Sequence, residues 1–225
     1  MNTLWKVALK DLHLEGRSKD IFSNVSFFSA LVMLILGFAL GNHSSVLSLA
    51  GPGILWTAIA FSSVLAAGRS WNREAESEAL EQLMLYPTHR SHVYLGKMLA
   101  NFILMSILAA IASPISWIIY PFFSPAGPLD IVYFFLTVLL GVLGFSIVST
   151  FYAALTVTLR AKEALLPILM FPVVVPVVLG AVNAISLISG HSEPQAFLSW
   201  MALLLVFDIV YGLVASFAFP YMTDL

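Results

Sequence analysis

The sequence predicts an all-α polytopic membrane protein with six transmembrane helices, an N-terminal interfacial amphipathic helix and one short cytoplasmic helix. Of its 225 residues, 60% are hydrophobic and 10% are charged, against about 45–50% and about 25% in soluble domains. Six apolar runs are long enough to cross about 30 Å of hydrocarbon, and the ten lysines and arginines fall only in alternate loops. Six spans leave no room for a second domain, so residues 1–225 are predicted to form a single membrane domain.

The composition also excludes several classes of function. The net charge is −2 and the basic residues are scattered, so the electrostatic footprint of a nucleic-acid-binding protein is missing. The chain has no cysteine and therefore no disulfide, thiolate metal site or covalent haem attachment. Its five histidines are dispersed, and neither G-x-S-x-G nor H-E-x-x-H occurs. We therefore predict no catalytic residue, no metal site and no enzyme activity in this chain.

The first 23 residues predict the interfacial helix. Two stripes follow helical spacing, an apolar one of Trp5, Ala8, Leu9 and Leu12 and a basic one of Lys6, Lys10, His13 and Arg17. Such a helix lies in the membrane surface, with its apolar side in the acyl boundary and its basic side at anionic headgroups. A contact with a partner protein is the alternative. Charges of both signs and the lack of a small-residue cleavage site indicate that the segment is retained.

The six apolar runs occupy residues 24–41, 47–67, 98–119, 131–159, 164–188 and 197–219. The first two spans thus fill 24–67, and the remaining four fill 98–219. Four basic residues precede the first span, four lie between the second and third, and two lie between the fourth and fifth. The other loops and the tail after Pro220 have none. By the positive-inside rule, both termini are predicted to be cytoplasmic.

A glycine-proline-glycine sequence stands at the predicted outer end of the second span. Gly51, Pro52 and Gly53 are predicted to form a turn that opens this span, with Trp56 following at interfacial depth. One interpretation is a capped helix entry. The other is a gate at the outer mouth of a pathway, formed by these four residues.

Between the second and third spans, residues 70–87 predict a separate cytoplasmic helix. Glu74, Glu78 and Glu81 recur at helical spacing on one side, apolar residues including Leu80 and Leu83 lie on another, and Pro87 ends the helix. A short acidic and apolar helix at this membrane face suits docking into a cleft of a cytoplasmic partner. A charge run is also typical of a solvated helix face, and the residues alone leave both interpretations open.

The fifth span carries three prolines, Pro167, Pro172 and Pro176. Each removes a backbone donor, so this helix is predicted to kink or unwind against neighbouring protein. It is either a kinked packing helix or a moving hinge that lines a substrate pathway.

One acidic residue, Asp208, falls midway along the sixth span. An ionised carboxylate there costs at least about 2.5 kcal/mol, so it is predicted to be protonated or hydrogen-bonded, with the hydroxyls of Thr156, Ser146 or Tyr211 as possible partners. Three roles stay open: a structural buried acid, a proton or substrate pathway, and a subunit-interface hydrogen bond.

Three segments carry a resemblance to a known family. They are GPGILW at 51–56, SEALEQLMLYP at 77–87 and ALTVTLRAKEALLPILMFPVVVPVVL at 154–179. In order and spacing they resemble the B-type permease of the cytochrome c maturation system, also called haem exporter protein B, over residues 5–179; the later spans match only in hydrophobicity. The acidic helix ending in L-E-Q-L-x-x-x-P resembles the coupling element of type-2 ABC transporter permeases, a fold with six helices and an amphipathic N-terminal helix.

This resemblance implies a permease subunit in the bacterial inner membrane. It implies that the subunit couples ATP hydrolysis by a partner ATPase to the export of haem, its possible substrate, or to release of a haem-loaded chaperone. The chain has no G-x-x-x-x-G-K-[ST] sequence, so ATP is expected in the partner subunit. Contacts with that ATPase are implied at Glu74, Glu78, Leu80, Glu81, Leu83 and Pro87.

The other implied partners are a haem-handling membrane protein, the haem chaperone and a second permease copy or related subunit, all within the lipid bilayer or at its surface. Two alternative functions remain. One is an assembly component that transports nothing, and the other is a type-2 export permease for a different hydrophobic substrate.

Overall fold

The computed structural model describes residues 3–41, 43–76, 89–125, 127–159, 161–189 and 194–222. These residues form seven α-helices: α1 (Thr3–Ser18), α2 (Asp20–Leu40), α3 (Ser44–Glu76), α4 (Arg90–Ile119), α5 (Pro128–Thr156), α6 (Lys162–Ser189) and α7 (Pro194–Met222). The helices α2 to α7 are long and apolar enough to cross a membrane, which confirms the six predicted spans and the all-α fold.

The bundle is organised around α3 and α5, its two most buried spans. Helix α5 packs on α3, α4, α6 and α7, and it has glycines where large groups approach. A Cβ at Gly141 would overlap the ring of Trp56, and one at Gly144 would lie 2.7 Å from Oδ1 of Asp208. Small residues let helices approach closely in a membrane, where van der Waals packing drives association.

The two ends of the bundle differ in charge. Helix α1 lies beside the C-terminal end of α3 and the N-terminal end of α4, and this end, called the α1 end below, holds the described lysines and arginines. At the opposite end, an irregular segment after α4 packs between α2 and α3 through Tyr120 and Phe122. The segregation of basic residues predicted from the sequence is therefore present in three dimensions.

A tight joint links α1 to α2. Lys19 adopts the left-handed conformation, with φ 56° and ψ 16°, and separates the two helices as a single residue. The backbone N–H of Phe22, in the first turn of α2, donates to Oε1 of Glu15 at 2.7 Å. A carboxylate at this place satisfies an N–H group that has no partner inside the helix and complements the helix dipole.

Several predicted boundaries are corrected by the structure. Helix α2 begins at Asp20, inside the range 1–23 assigned to the interfacial helix, and α4 begins at Arg90 rather than 98. Residues 70–76 continue α3 instead of starting a separate helix. The rest of the predicted helix, 77–87, lies outside the described residues. Charged residues end the hydropathy signal of a span without ending its helix, which is why the sequence placed these boundaries inside the helices.

Both proline predictions change as well. Pro52 lies inside α3, so Gly51, Pro52 and Gly53 do not form a turn. Helix α6 remains helical through Pro167, Pro172 and Pro176, so local unwinding is wrong, whereas a kink stays a prediction. Spanning helices tolerate proline where neighbouring helices and local adjustments satisfy the freed backbone groups, and α6 packs on α3, α5 and α7.

Candidate functional site

A cluster of charged side chains, centred on a buried lysine, joins α1, α3 and α4. The ammonium of Lys97 lies 3.0 Å from Oδ2 of Asp11 and 3.2 Å from Oε1 of Glu74. The ammonium of Lys10 binds the same Glu74 oxygen and lies 3.4 Å from Oδ1 of Asp11. We call Lys10, Asp11, Glu74 and Lys97 the charge junction. Two lysines face two carboxylates, so the cluster is electrically balanced.

Lys97 is the centre of this junction. Its side chain is 1% exposed, and its Nζ also lies 3.2 Å from Oγ of Ser70 and 4.9 Å from the ring centroid of Trp71. A buried ammonium needs such a set of acceptors, because an uncompensated charge in this environment is costly. From the sequence, Lys97 is predicted only as a basic loop residue. The one signal for its burial is its position directly before an apolar run.

A second pair of contacts ties the α1–α2 joint to the same end of α3. Arg73 Nη2 lies 3.4 Å from Oε2 of Glu15 and 3.9 Å from Oδ2 of Asp20. Glu15 also accepts the hydrogen bond from Phe22, so one carboxylate holds the start of α2 and the end of α3. Displacement of the α3 end therefore acts on α1 and α2 together.

The packing of α1 differs from the predicted stripes. Val7 and Ala8 are buried, whereas Trp5 is 51% and Leu9 is 49% exposed. The contact lies on Gly96 of α4, where a Cβ would come within 2.7 Å of a carbonyl oxygen in α1. Of the predicted basic stripe, Lys10 points into the charge junction. The helix thus docks onto the bundle through one side and leaves Trp5 and Leu9 available to the bilayer.

The electrostatics of Lys10 follow from its partners. Burial alone would lower the pKa of Lys10, but the hydrogen bond to Glu74 and the charges of Glu74 and Asp11 outweigh it and raise the pKa above its ordinary value. The ammonium form of Lys10 is therefore stabilised in the folded chain.

The structure places one of the predicted ATPase contacts inside the chain. Glu74 is 6% exposed and binds Lys10 and Lys97, so it belongs to the charge junction. The other predicted contacts, Glu78, Leu80, Glu81, Leu83 and Pro87, lie outside the described residues. They follow α3 directly in sequence, immediately after the junction.

The predicted outer-gate residues lie under a packed cap at the opposite end. A Cβ at Gly51 would overlap the ring of Phe122, and the hydroxyl of Tyr120 donates to the carbonyl of Met33. Trp56 is fully buried and stacks on Phe145 with ring centroids 6.0 Å apart, so its ring packs inside the bundle and not against the bilayer. Close packing of aromatic rings explains why only glycine fits at position 51.

Asp208 lies where α5, α6 and α7 meet. It is 5% exposed, and the Gly144 Cα that it faces also packs on Val177. Neither carboxylate oxygen has a hydrogen-bond partner within the described residues. The three predicted hydroxyl partners do not bind it: Thr156 donates to a carbonyl one turn back, Ser146 has no partner of its own, and Tyr211 stacks on a neighbouring ring.

The part of the chain that the structure describes holds no group of three or more histidine, aspartate or glutamate side chains able to bind a metal ion. At the α1 end, ion pairs and hydrogen bonds join the last turn of α3 to α1, α2 and α4.

Comparison with known proteins identifies the relatives of this chain. The family model described as CcmB protein matches residues 2–224, beyond the limit of 179 set by the sequence resemblance. The protein named Heme exporter protein B in Paracoccus denitrificans is 27% identical over 194 residues, covering 86% of this chain and 87% of the relative. The protein of the same name in Pseudomonas aeruginosa is 29% identical over 215 residues, covering 92% of this chain and 94% of the relative. The protein of that name in Rhodobacter capsulatus is 30% identical over 169 residues, covering 74% of this chain and 75% of the relative.

Proposed function

The chain belongs to the CcmB protein family, and we propose that it is the membrane permease subunit of an ABC-type haem exporter that serves cytochrome c maturation in the bacterial inner membrane. The observation that carries this proposal is the family match over residues 2–224, which spans the interfacial helix and all six spans. The name of its relatives, Heme exporter protein B, supports haem as the substrate.

ATP hydrolysis belongs to a partner subunit, since this chain has no phosphate-binding G-x-x-x-x-G-K-[ST] sequence. Residues 77–87 contact that ATPase through Glu78, Leu80, Glu81, Leu83 and Pro87. Movement of this segment passes to the end of α3, and the charge junction carries it to α1 and α4. Glu74 acts in this transmission and not as a direct contact.

The charge distribution supports the orientation. The α1 end holds the basic residues that the positive-inside rule assigns to the cytoplasm, and an ATPase supplied with cytoplasmic ATP has to dock there. The opposite end then faces the periplasm, where the haem chaperone and the haem-handling membrane protein of the complex act. A second permease copy completes the usual twelve spans.

The pathway residues are proposed on the contacts of α6. Asp208 packs beside Val177 of α6, next to Pro176, so movement of the proline-containing helix changes the surroundings of this carboxylate. Pro167 and Pro172 lie on the same helix toward the cytoplasm. At the outer end, Gly51, Pro52, Gly53 and Trp56 form the gate that closes against Phe122.

Complementation tests this function. A bacterium lacking its own B-type permease receives this chain, and covalently haem-stained c-type cytochromes are measured. The intact chain restores them, and Leu83→Asp does not, because a carboxylate replaces the apolar docking side chain. Leu159→Asp is the matched control, since Leu159 is an exposed leucine at the same end. No restoration by the intact chain refutes the function, and full activity of Leu83→Asp refutes the coupling assignment. Chaperone release without haem flux would favour the assembly component.

A further inference from the structure

A cleft of about 640 Å³ opens at the α1 end between the start of α2, the last three turns of α3 and the start of α6. Helices α2 and α6 both pack on α3, but they have little contact with each other in the described residues. The volume falls within the roughly 300–1,000 Å³ typical of small-molecule sites. None of the proposed gate or pathway residues lines this cleft.

The cleft is charged at its rim and apolar inside. Arg69 and Lys162 line it, and neither side chain has a hydrogen bond or ion pair within the part of the chain that the structure describes. Deeper along the helices the lining becomes Val64, Leu65 and Leu166. An amphiphile with acidic groups at one edge of an apolar body fits this gradient.

Three aromatic rings lie beyond the lining of the cleft, one to two helical turns further toward the membrane interior on α2, α3 and α6. Phe61 of α3 lies 6.2 Å from Phe28 of α2 and 4.9 Å from Phe171 of α6, centroid to centroid. Phe61 stays 39% exposed, so its ring has a free surface. It lies eight residues before Arg69, about 12 Å along the helix, on the same side of α3 as Leu65.

We propose that this cleft binds haem on its cytoplasmic side, with the two propionates at Arg69 and Lys162 and the porphyrin ring against Phe61. The proposal rests on the proposed function, which supplies haem as the substrate. Arginine binds carboxylates through paired hydrogen bonds, and aromatic rings stack on flat π-systems. Basic residues between spans also attract anionic lipid headgroups. The three phenylalanine rings, however, offer a stacking surface for a planar ring, and a flexible acyl chain does not stack.

Three acidic residues line the same cleft and oppose an anion. Asp20 is paired with Arg73 at 3.9 Å, which reduces its effect. Glu163 and Glu76 remain at the rim, and Glu76 is about two helical turns further toward the cytoplasm than Arg69. Glu163 directly follows Lys162, so its carboxylate lies beside the proposed propionate contact and opposes the anion. Glu163→Gln therefore strengthens haem binding.

The test uses the purified full chain in lipid nanodiscs, with zinc protoporphyrin IX as the fluorescent probe and its dimethyl ester, which lacks both carboxylates. The diacid binds more tightly than the diester. Arg69→Gln and Lys162→Gln each weaken the binding of the diacid about tenfold, which is the loss expected for one charge-assisted hydrogen bond. Both variants leave the affinity for the diester unchanged. Phe61→Leu weakens both probes, because both share the ring.

Arg17→Gln is the matched control, since Arg17 is an exposed arginine of α1 outside the cleft. Equal affinity of diacid and diester, or an equal loss in Arg17→Gln, overturns the proposal. If Arg69→Gln weakens the binding of phosphatidylglycerol but not that of the porphyrin, the cleft is a lipid site and the proposal is also overturned. The complementation assay separates the two proposals. If the chain binds porphyrin in the cleft but does not restore c-type cytochromes, only the proposed function is refuted. If it restores c-type cytochromes but the cleft binds no porphyrin, only the cleft proposal is refuted.

Discussion

Replacing Lys97 with methionine removes one cation from the charge junction while keeping a side chain of similar length. Asp11 and Glu74 then share the single ammonium of Lys10, whose side chain is 40% exposed. Removing one partner of a buried ion pair costs about 3–5 kcal/mol. Because Lys10 still binds Glu74, we expect the lower end of this range, a loss of about 3 kcal/mol in the free energy of unfolding.

A double-mutant cycle separates the charge from the packing. Lys97→Met combined with Glu74→Gln leaves one lysine and one aspartate, which pair with each other, so the junction is balanced again. The double variant is therefore less destabilised than the sum of the two single variants, by about 1–3 kcal/mol of coupling energy. Lys6→Met, at an exposed lysine of α1 outside the junction, stays within about 0.5 kcal/mol of the intact chain.

The assay is unfolding in mixed detergent micelles with increasing SDS, followed by tryptophan fluorescence. Trp71, one of five tryptophans in the chain, lies against Lys97 and contributes a signal from the junction. The reasoning is refuted if Lys97→Met unfolds like Lys6→Met, or if the two single effects add without coupling.

Three further predictions concern α1, the outer cap and pH. Gly96→Ala places a methyl group 2.7 Å from a carbonyl of α1, so α1 becomes accessible to protease while the bundle stays folded; equal cleavage rates would contradict this. Tyr120→Phe removes the hydrogen bond to the Met33 carbonyl and lowers the free energy of unfolding by about 1 kcal/mol, measured in the same SDS titration. Lys10 has a raised pKa in the folded chain, so its stabilisation is complete below the unfolded value of 10.5 and is lost as the pH rises through the folded value. Between about pH 9 and about pH 11.5, the free energy of unfolding therefore decreases less for Lys10→Gln than for the intact chain.

The fold was largely predictable because the bilayer restricts the choices. A span requires about 20 apolar residues, and basic residues mark one side, so six helices and their alternation follow from composition along the chain. The helix ends were less predictable, since Arg73, Glu74 and Lys97 interrupt the hydropathy signal but not the backbone hydrogen bonds of α3 and α4.

The candidate site was predictable only in part. Lys97 and Asp11 are separated by 86 positions, and no local pattern indicates a pairing at that distance. Glu74 shares helical spacing with Glu78 and Glu81, so the sequence grouped it with them, whereas packing turned it toward α1. The glycine at 51 was recognised as unusual, but the reason, the ring of Phe122 against its Cα, depends on a segment about 70 residues later.

The central claim is that this chain transmits ATP-driven movement from a partner ATPase into the membrane. Co-expression with an ABC ATPase and the haem-handling membrane protein, purification in mild detergent and measurement of ATP hydrolysis test it most directly. We predict a stable complex whose ATPase activity exceeds that of the ATPase alone, and loss of both on Glu81→Lys, because a lysine there repels the basic residues that receive the acidic segment. Absence of any ATPase association, or full stimulation by the Glu81→Lys variant, would contradict the account.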